Sequence, residues 1–395
     1  MVDAPMPLSR FKIIDLCRAR AGPTCVRQLA DWGAQTIKVE LPPGGTGVDD
    51  SETRHGFDFF NLHRNKRSMT LNLKTEEGKK ILFKMAETAD VIVENYRPDV
   101  KHRLGIDYEV MKKINPRIIY ASLSGFGQTG PYAGRAGLDQ IAQGLGGIMS
   151  VTGLPGQGPV RVGIPICDLT SGLLLAQGVM MALLEREVSG QGQWVHTSLT
   201  EAMIQLMDLQ VARYLKDGDV PKQEGNNHPT GVPTGVFKAK DGLINIQAAT
   251  PHLFKRMAVA LGVGEKMGEN PEYATNKGRR EHRERLNGEI DALTQTKTMQ
   301  EWIDIFAKAG VPSGPIYTVD QTFADPQIKT LNMDPVVEHP EMGKVRILGQ
   351  AVKMTRTPQR MRMPTPELGQ HTDVILAEYG YSKAEIAQFH QNGAV

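Results

Sequence analysis

Between residues 11 and 123 the apolar positions fall in short continuous runs separated by longer mixed stretches. Phe11–Cys17 (FKIIDLC), Gln35–Glu40 (QTIKVE), Ser68–Leu73 (SMTLNL), Val91–Glu94 (VIVE) and Arg117–Leu123 (RIIYASL) read as strands. Runs of this kind belong to a sheet covered on both faces by helices. Helical patterns lie between them: from Gly22-Pro23 to Trp32, from Thr75 as cap to Asp90, and over Tyr108–Ile114. Strand, helix and strand close within about thirty residues, the length of one parallel crossover. The pattern predicts an α/β fold with a doubly wound parallel sheet.

One apolar stretch differs in kind. In Gly163–Gly192 (GIPICDLTSGLLLAQGVMMALLEREVSGQG) a single acid, Asp168, precedes leucines, methionines and valines that surround most of a helical circumference. Polarity returns at Glu185, Arg186 and Glu187, and Gly190 stops the helix. The pattern predicts a buried helix with a carboxylate at its mouth. Desolvation disfavours that charge, while the helix N-terminus and its free N–H groups favour it. An Asp at such a place is ordinarily an N-cap. Cys167 beside it reads as packing. The run contains Gln177 and Gly178 and falls short of a bilayer's thickness, so no membrane span is expected.

Farther along, Gln193–Leu199 reads as a strand and Thr200–Leu215 as a helix. Residues 216–233 turn polar and rich in Gly, Asn and Pro, the composition of a linker. Thr234–Ala248 reads as a hairpin turning at Lys240-Asp241-Gly242, followed by polar helices over Lys277–Leu293 and Thr298–Ala309. The plan is therefore a large domain over 1–215, a linker over 216–233, a small α/β domain over 234–320, and a linker with C-terminal return over 321–395.

Composition narrows the chemistry. A net charge of +2 over 395 residues gives no field that would draw nucleic acid or an anionic membrane. Three cysteines and a start without a signal pattern point to a cytoplasmic protein without disulfides. The ten histidines are scattered without metal-ligand spacing. Gly125–Gly130 matches G-x-G-x-x-G, but Pro131 follows and the next helix begins only near Leu138, so it reads as a turn rather than a dinucleotide site. No Walker loop or nucleophile elbow occurs. Basic and small residues do gather after the strands: Arg18, Ala19, Arg20, Ala21 and Gly22, then Lys74, then Asn95, Tyr96 and Arg97, with Arg103 and Asp139 soon after. At strand C-terminal ends they suit a long, phosphate-bearing, partly apolar ligand.

These stretches resemble the family III CoA-transferases, the CaiB/BaiF group. The resemblance runs in order through DLCRARAGPTCVRQLADWGAQTIKVE, NLHRNKRSMTLNLKTEEGKK, ADVIVENYRP, SLSGFGQTGPY, CDLTSG, PTGVFKAKDG, GVPSGPIYTV and LGQHTD, essentially the whole chain. It implies a Rossmann-like large domain with a smaller one inserted late, two chains interlocked as rings in a homodimer, and no permanently bound cofactor, coenzyme A being a substrate. The family's catalytic aspartate falls on Asp168. Positions lining the CoA site fall on Ala19, Ala21, Leu71, Lys74, Asn95, Tyr96, Arg103 and Leu104, with Leu41 where some relatives carry an Arg. Backbone N–H groups at the helix start are candidates to hold the anhydride oxygens. His228–Gly235 aligns with a loop that shields the intermediates in relatives, without the glycine run some of them carry.

Arg20 stands where relatives often have Leu or Gln. It is read either as the partner of a second carboxylate on a short dicarboxylate substrate, or as the partner of a CoA phosphate or a structural acid. Two rival functions are weighed. An α-methylacyl-CoA racemase would need a His before the acid, and here Leu138 precedes Asp139. A non-catalytic CoA-ester-binding subunit has no use for the aspartate, and Asp168 is present.

Overall fold

The computed structural model describes residues 5–43 and 54–395. Most of the loop expected over Pro42–Ser51 lies outside them. Ile13 and Ile14 set the logic of the first unit. Successive strand side chains point to opposite faces, and both are fully buried, each in a different core. The same alternation runs through Val91, Ile92 and Val93, and through Ile119, Tyr120 and Ala121. Six strands carry it: β1 (Lys12–Asp15), β2 (Gln35–Glu40), β3 (Lys66–Thr70), β4 (Val91–Glu94), β5 (Ile119–Ser124) and β6 (Trp194–Ser198). Their order is β3-β2-β1-β4-β5-β6, with every pair parallel. The order reverses between β1 and β4, so the loops leaving those strands diverge and open a crevice.

On one face, the central helix (Ile166–Ser189) packs with the helix Ala21–Asp31 through Leu175, Val179, Cys25, Val26 and Leu29. On the other, the helix Glu76–Ala86 packs with the C-terminal helices Thr372–Glu378 and Lys383–Gln391 through Ile81, Leu82, Ile375 and Ile386. The returning chain also covers the sheet edge. Asn65 donates its N–H to the Met363 carbonyl (3.1 Å), and His371 donates to the Ser68 carbonyl (3.0 Å).

The chain divides into two compact units, one of 1–148, 161–219 and 332–395, the other of 149–160 and 220–331. The second is built on the antiparallel sheet of β7 (Thr234–Lys238), β8 (Leu243–Gln247) and β9 (Ser313–Pro315), with helices over Phe237, Ile244, Phe254, Trp302 and Phe306. It begins before the expected 234 because the polar stretch is bonded rather than loose. Gln223 Nε2 donates to the Thr152 and Gly158 carbonyls (both 2.6 Å), and Arg283 pairs with Glu224 (2.5 Å).

Two readings of the central helix are corrected. It is not enclosed: Leu173, Met181, Leu184 and Val188 are exposed, and the buried stripe is Ser171/Gly172, Leu175/Ala176, Val179, Ala182/Leu183 and Arg186, at helical spacing. Arg186 is part of that stripe, bound to Asp90 Oδ1 (2.7 Å) and the Arg117 carbonyl (3.0 Å). Its 24 residues also reach the length and apolarity that could cross a membrane, contrary to the expectation; here they pack on a sheet.

Gly172 fixes how closely the two helices meet. A Cβ there would lie 2.6 Å from the Ala21 carbonyl oxygen and 2.7 Å from Thr24 Cβ. Gly172→Ala is therefore expected to lower the unfolding free energy by about 1–3 kcal/mol. Gly288→Ala, with no atom within 4 Å of the added Cβ, should instead raise it by about 0.5–1 kcal/mol. Denaturant unfolding followed by circular dichroism gives both signs.

Candidate active site

The central helix begins at Ile166, after Pro165, so Asp168 is its third residue and not its cap. The capping is done from elsewhere. Asp139, the first residue of the helix Asp139–Leu145, accepts on Oδ1 from the backbone N–H of Cys167 (2.9 Å) and, at 3.4 Å, of Asp168. Its Oδ2 accepts from Gln143 Nε2 (2.7 Å) and faces Arg161 (3.8 Å). The Ile166 and Leu169 N–H groups donate to the Ile164 and Pro165 carbonyls. All four N–H groups of the first turn are thus taken, which overturns their expected role as free donors for a developing oxyanion.

Relieved of capping, the half-buried Asp168 carboxyl has its pKa raised from 3.8 to about 6. Burial is the main cause and the Asp139 charge the next; Arg20 opposes them and Asp58 adds a little. Arg20 precedes the helix Ala21–Asp31, and its Nη2 donates to Asp58 Oδ1 at 2.5 Å. Arg20 therefore has an acid partner within the protein, one of the alternatives read from sequence. Cys167 is fully buried with Sγ 3.3 Å from Met203 Sδ, and burial pushes its thiol up to about 12. It packs.

Strand-end carboxylates shape the loops at the switch point. Asp15 accepts from the Cys17 N–H (3.0 Å) and pairs with buried Lys66 (2.9 Å). Glu94 accepts from the Tyr96 N–H (2.8 Å) and pairs with buried Lys101 (2.8 Å). Asn95 then joins the two loops: its Oδ1 accepts from the Arg18 N–H (2.9 Å) and its Nδ2 donates to the Arg18 carbonyl (2.7 Å). Held there, the chain takes Ala19 through a left-handed turn (φ 55°) into Arg20, whose guanidinium meets Asp58 and acts on the Asp168 charge.

Beside these loops lies a cleft of about 560 Å³. Of the residues expected to line a CoA site it contains Leu71, Lys74, Tyr96, Arg103 and Leu104, and Leu41 with them. Arg18, one of the basic residues gathered after β1, lines it too; sequence reasoning did not assign Val39, Glu40, Leu73, Lys79 or Val100, and their positions at the end of β2, after β3 and on the helices Glu76–Ala86 and Pro98–Leu104 were the available signal. Ala19, Arg20, Ala21, Asn95, Arg97 and Asp139 are not part of that lining. Ala21 is buried at the helix start, Arg97 faces Asp99 (3.5 Å), and Asp139 caps the central helix.

Residues 8–372 match the family model described as CoA-transferase family III. The chain belongs to this family. It is 38% identical to an acyl-CoA transferase of Fusarium pseudograminearum over 98% of this chain and 88% of that one. To a succinate–glutarate CoA-transferase of Agrobacterium fabrum it is 34% identical, over 96% and 98%. A crystal structure of a CaiB/BaiF family protein from Brucella suis superposes with a TM-score of 0.81 at 34% identity, over 95% of this chain and all of that one. The chain is thus an enzyme whose substrates are CoA thioesters.

In this CoA-transferase, Gly125–Gly130 is the expected turn. Gly127 and Gly130 have positive φ, and Gln128 Oε1 accepts from Lys101 Nζ (2.6 Å). The segment His228–Gly235 is tied within the second unit. His228 Nδ1 accepts from the Gly231 N–H (2.9 Å), and Asn276 Nδ2 donates to the Thr230 carbonyl (2.7 Å). His55, Glu341 and Glu367 bring ligand-type atoms within 4.8 Å of one another, a group that sequence spacing could not reveal because folding brings its members together.

The raised pKa has a consequence for stability. Folded Asp168 holds its proton more tightly than the unfolded chain does, so the stabilisation is full below pH 3.8 and lost as pH rises through about 6. Asp168→Asn should stabilise the protein at pH 7.5 by roughly 1–2 kcal/mol, less than the full linkage value because the group is partly solvated. The gain should vanish near pH 4; urea unfolding at both pH values measures it.

Proposed function

We propose that Asp168 is the nucleophile of a CoA transfer between two carboxylic acids. The observation that carries this reading is a half-buried carboxylate, in a helix's first turn but excused from capping it, whose pKa of about 6 leaves it ionised yet poorly solvated at neutral pH. Its oxygen attacks the donor thioester carbonyl and the C–S bond breaks, giving a mixed anhydride and CoA thiolate. The thiolate attacks the Asp168 carbonyl of the anhydride, forming an aspartyl-CoA thioester and releasing the donor acid. The acceptor carboxylate then attacks that thioester, and the freed thiolate attacks the acceptor's acyl carbon, leaving acceptor acyl-CoA and ionised Asp168. No net proton is consumed.

CoA lies in the cleft in this reading, with Lys74 and Arg103 toward its phosphates and Leu41, Leu71, Tyr96 and Leu104 along its apolar parts. Ala19 and Ala21 belong to one loop beside it and Asn95 to the other, and Arg97 follows the lining residue Tyr96. Both acids are short dicarboxylates, succinyl-CoA being the donor. This is supported by the relative named for succinate and glutarate, and by the half-buried guanidinium of Arg20 near Asp168. Arg20 takes the second carboxylate. Two copies of the chain form an interlocked homodimer, supported by the apolar face that Leu173, Met181, Leu184 and Val188 leave exposed.

Asp168→Ala should lower the exchange rate between succinyl-CoA and glutarate by about a thousandfold or more. Hydroxylamine added to the wild type with succinyl-CoA should convert Asp168 to a hydroxamate, read by peptide mass spectrometry; an unmodified peptide at full activity would refute the covalent step. The acid limb of kcat/KM for succinyl-CoA should have its midpoint near pH 6. Arg20→Leu should raise KM for glutarate about tenfold.

A further inference from the structure

Asp58 is the residue that the catalytic scheme leaves unused. It stands in the first turn of the helix Phe57–His63, whose Gly56 cap provides no side chain. An acid there is favoured by the helix N-terminus in any event. Its carboxylate, however, is spent on Arg20, one oxygen against one guanidinium nitrogen at 2.5 Å. That leaves the rest of the guanidinium fork outside this bond. The Arg20 side chain is 25% exposed and that of Asp58 43%, so water reaches both. Pairs so placed are weak and open easily. A carboxylate that meets the guanidinium with both oxygens has the stronger claim on it. Both members of the pair also act on the Asp168 charge, Arg20 lowering and Asp58 raising its pKa. The pair therefore sits within electrostatic reach of the reacting carboxylate.

We propose that Asp58 is a stand-in for the substrate's second carboxylate: it occupies Arg20 in the empty enzyme and is displaced when a dicarboxylate binds. This rests on the reading of Arg20 given above. The empty site then keeps the Arg20 guanidinium in place with its charge compensated. An acid without a second carboxylate cannot displace Asp58 and leaves the latch shut. Asp58 thus sets specificity through competition: every dicarboxylate must outbid it, and the binding it gains is the difference between two carboxylates on one guanidinium.

The test uses the full-length enzyme with succinyl-CoA as donor, glutarate as acceptor and pentanoate as an inhibitor of the same length with one carboxylate. In Asp58→Asn the glutarate KM should fall about threefold to tenfold at little changed kcat, the range for a half-exposed charge pair. The pentanoate inhibition constant should move less than twofold. Asp58→Ser provides the same readout if the Asn variant is unstable. A glutarate KM that is unchanged or raised in the Asp58 variants, while Arg20→Leu raises it, overturns the stand-in role alone. A glutarate KM that Arg20→Leu leaves untouched overturns the reading of Arg20 and this inference with it.

Discussion

The bond between Asp139 and the start of the central helix is the interaction on which the site depends. A helix N-terminus is a standing positive charge with unsatisfied N–H groups. Left to itself it would draw in the nearest carboxylate, which is Asp168 in its own first turn. Such a carboxylate would be well solvated by N–H groups, low in pKa and a poor nucleophile. Asp139 takes that role from another helix, through the Cys167 and Asp168 N–H groups. It then adds its own negative charge to the surroundings of Asp168. One bond both removes the donors that would solvate the Asp168 carboxylate and raises its proton affinity.

Much of the fold is legible in the sequence because both faces of the sheet are covered. β2 and β4 coincide with their apolar runs, and β1, β3, β5 and β6 lie within or across theirs, since no polar face interrupts them. Thr75, Thr298 and Ser382 cap helices with their side chains, as their positions before amphipathic runs indicate. The central helix was less transparent. Its buried stripe and its open face are both apolar, so hydrophobicity alone could not say which side meets the sheet. Arg186 was misleading for the converse reason: a charged residue buries when Asp90 and a carbonyl await it.

The candidate site was legible only where a single residue marks it. Asp168 stands out as the one acid at the start of an apolar helix. The residues that control it do so across long sequence separations: Asp139 lies 29 residues before it, and the Arg20–Asp58 pair spans 38. No local pattern marks such partners. The same holds for Asn95, expected against the ligand and found holding the Arg18 backbone at both its N–H and its carbonyl. Its amide suits either task, and the loop geometry decides.

The buried ion pairs explain why these loops can be so finely set. Asp15–Lys66 and Glu94–Lys101 are fully buried at the ends of the two strands that flank the switch point. Such pairs add little net stability, because desolvation offsets most of their attraction. Each carboxylate, however, also accepts the N–H two residues beyond it, which turns the chain sharply at a defined residue. Apolar side chains of the same volume could fill the space but could not bind those N–H groups. The sheet therefore spends its buried charges on direction rather than on stability, and the direction they fix sets the loop from which Arg20 meets Asp58.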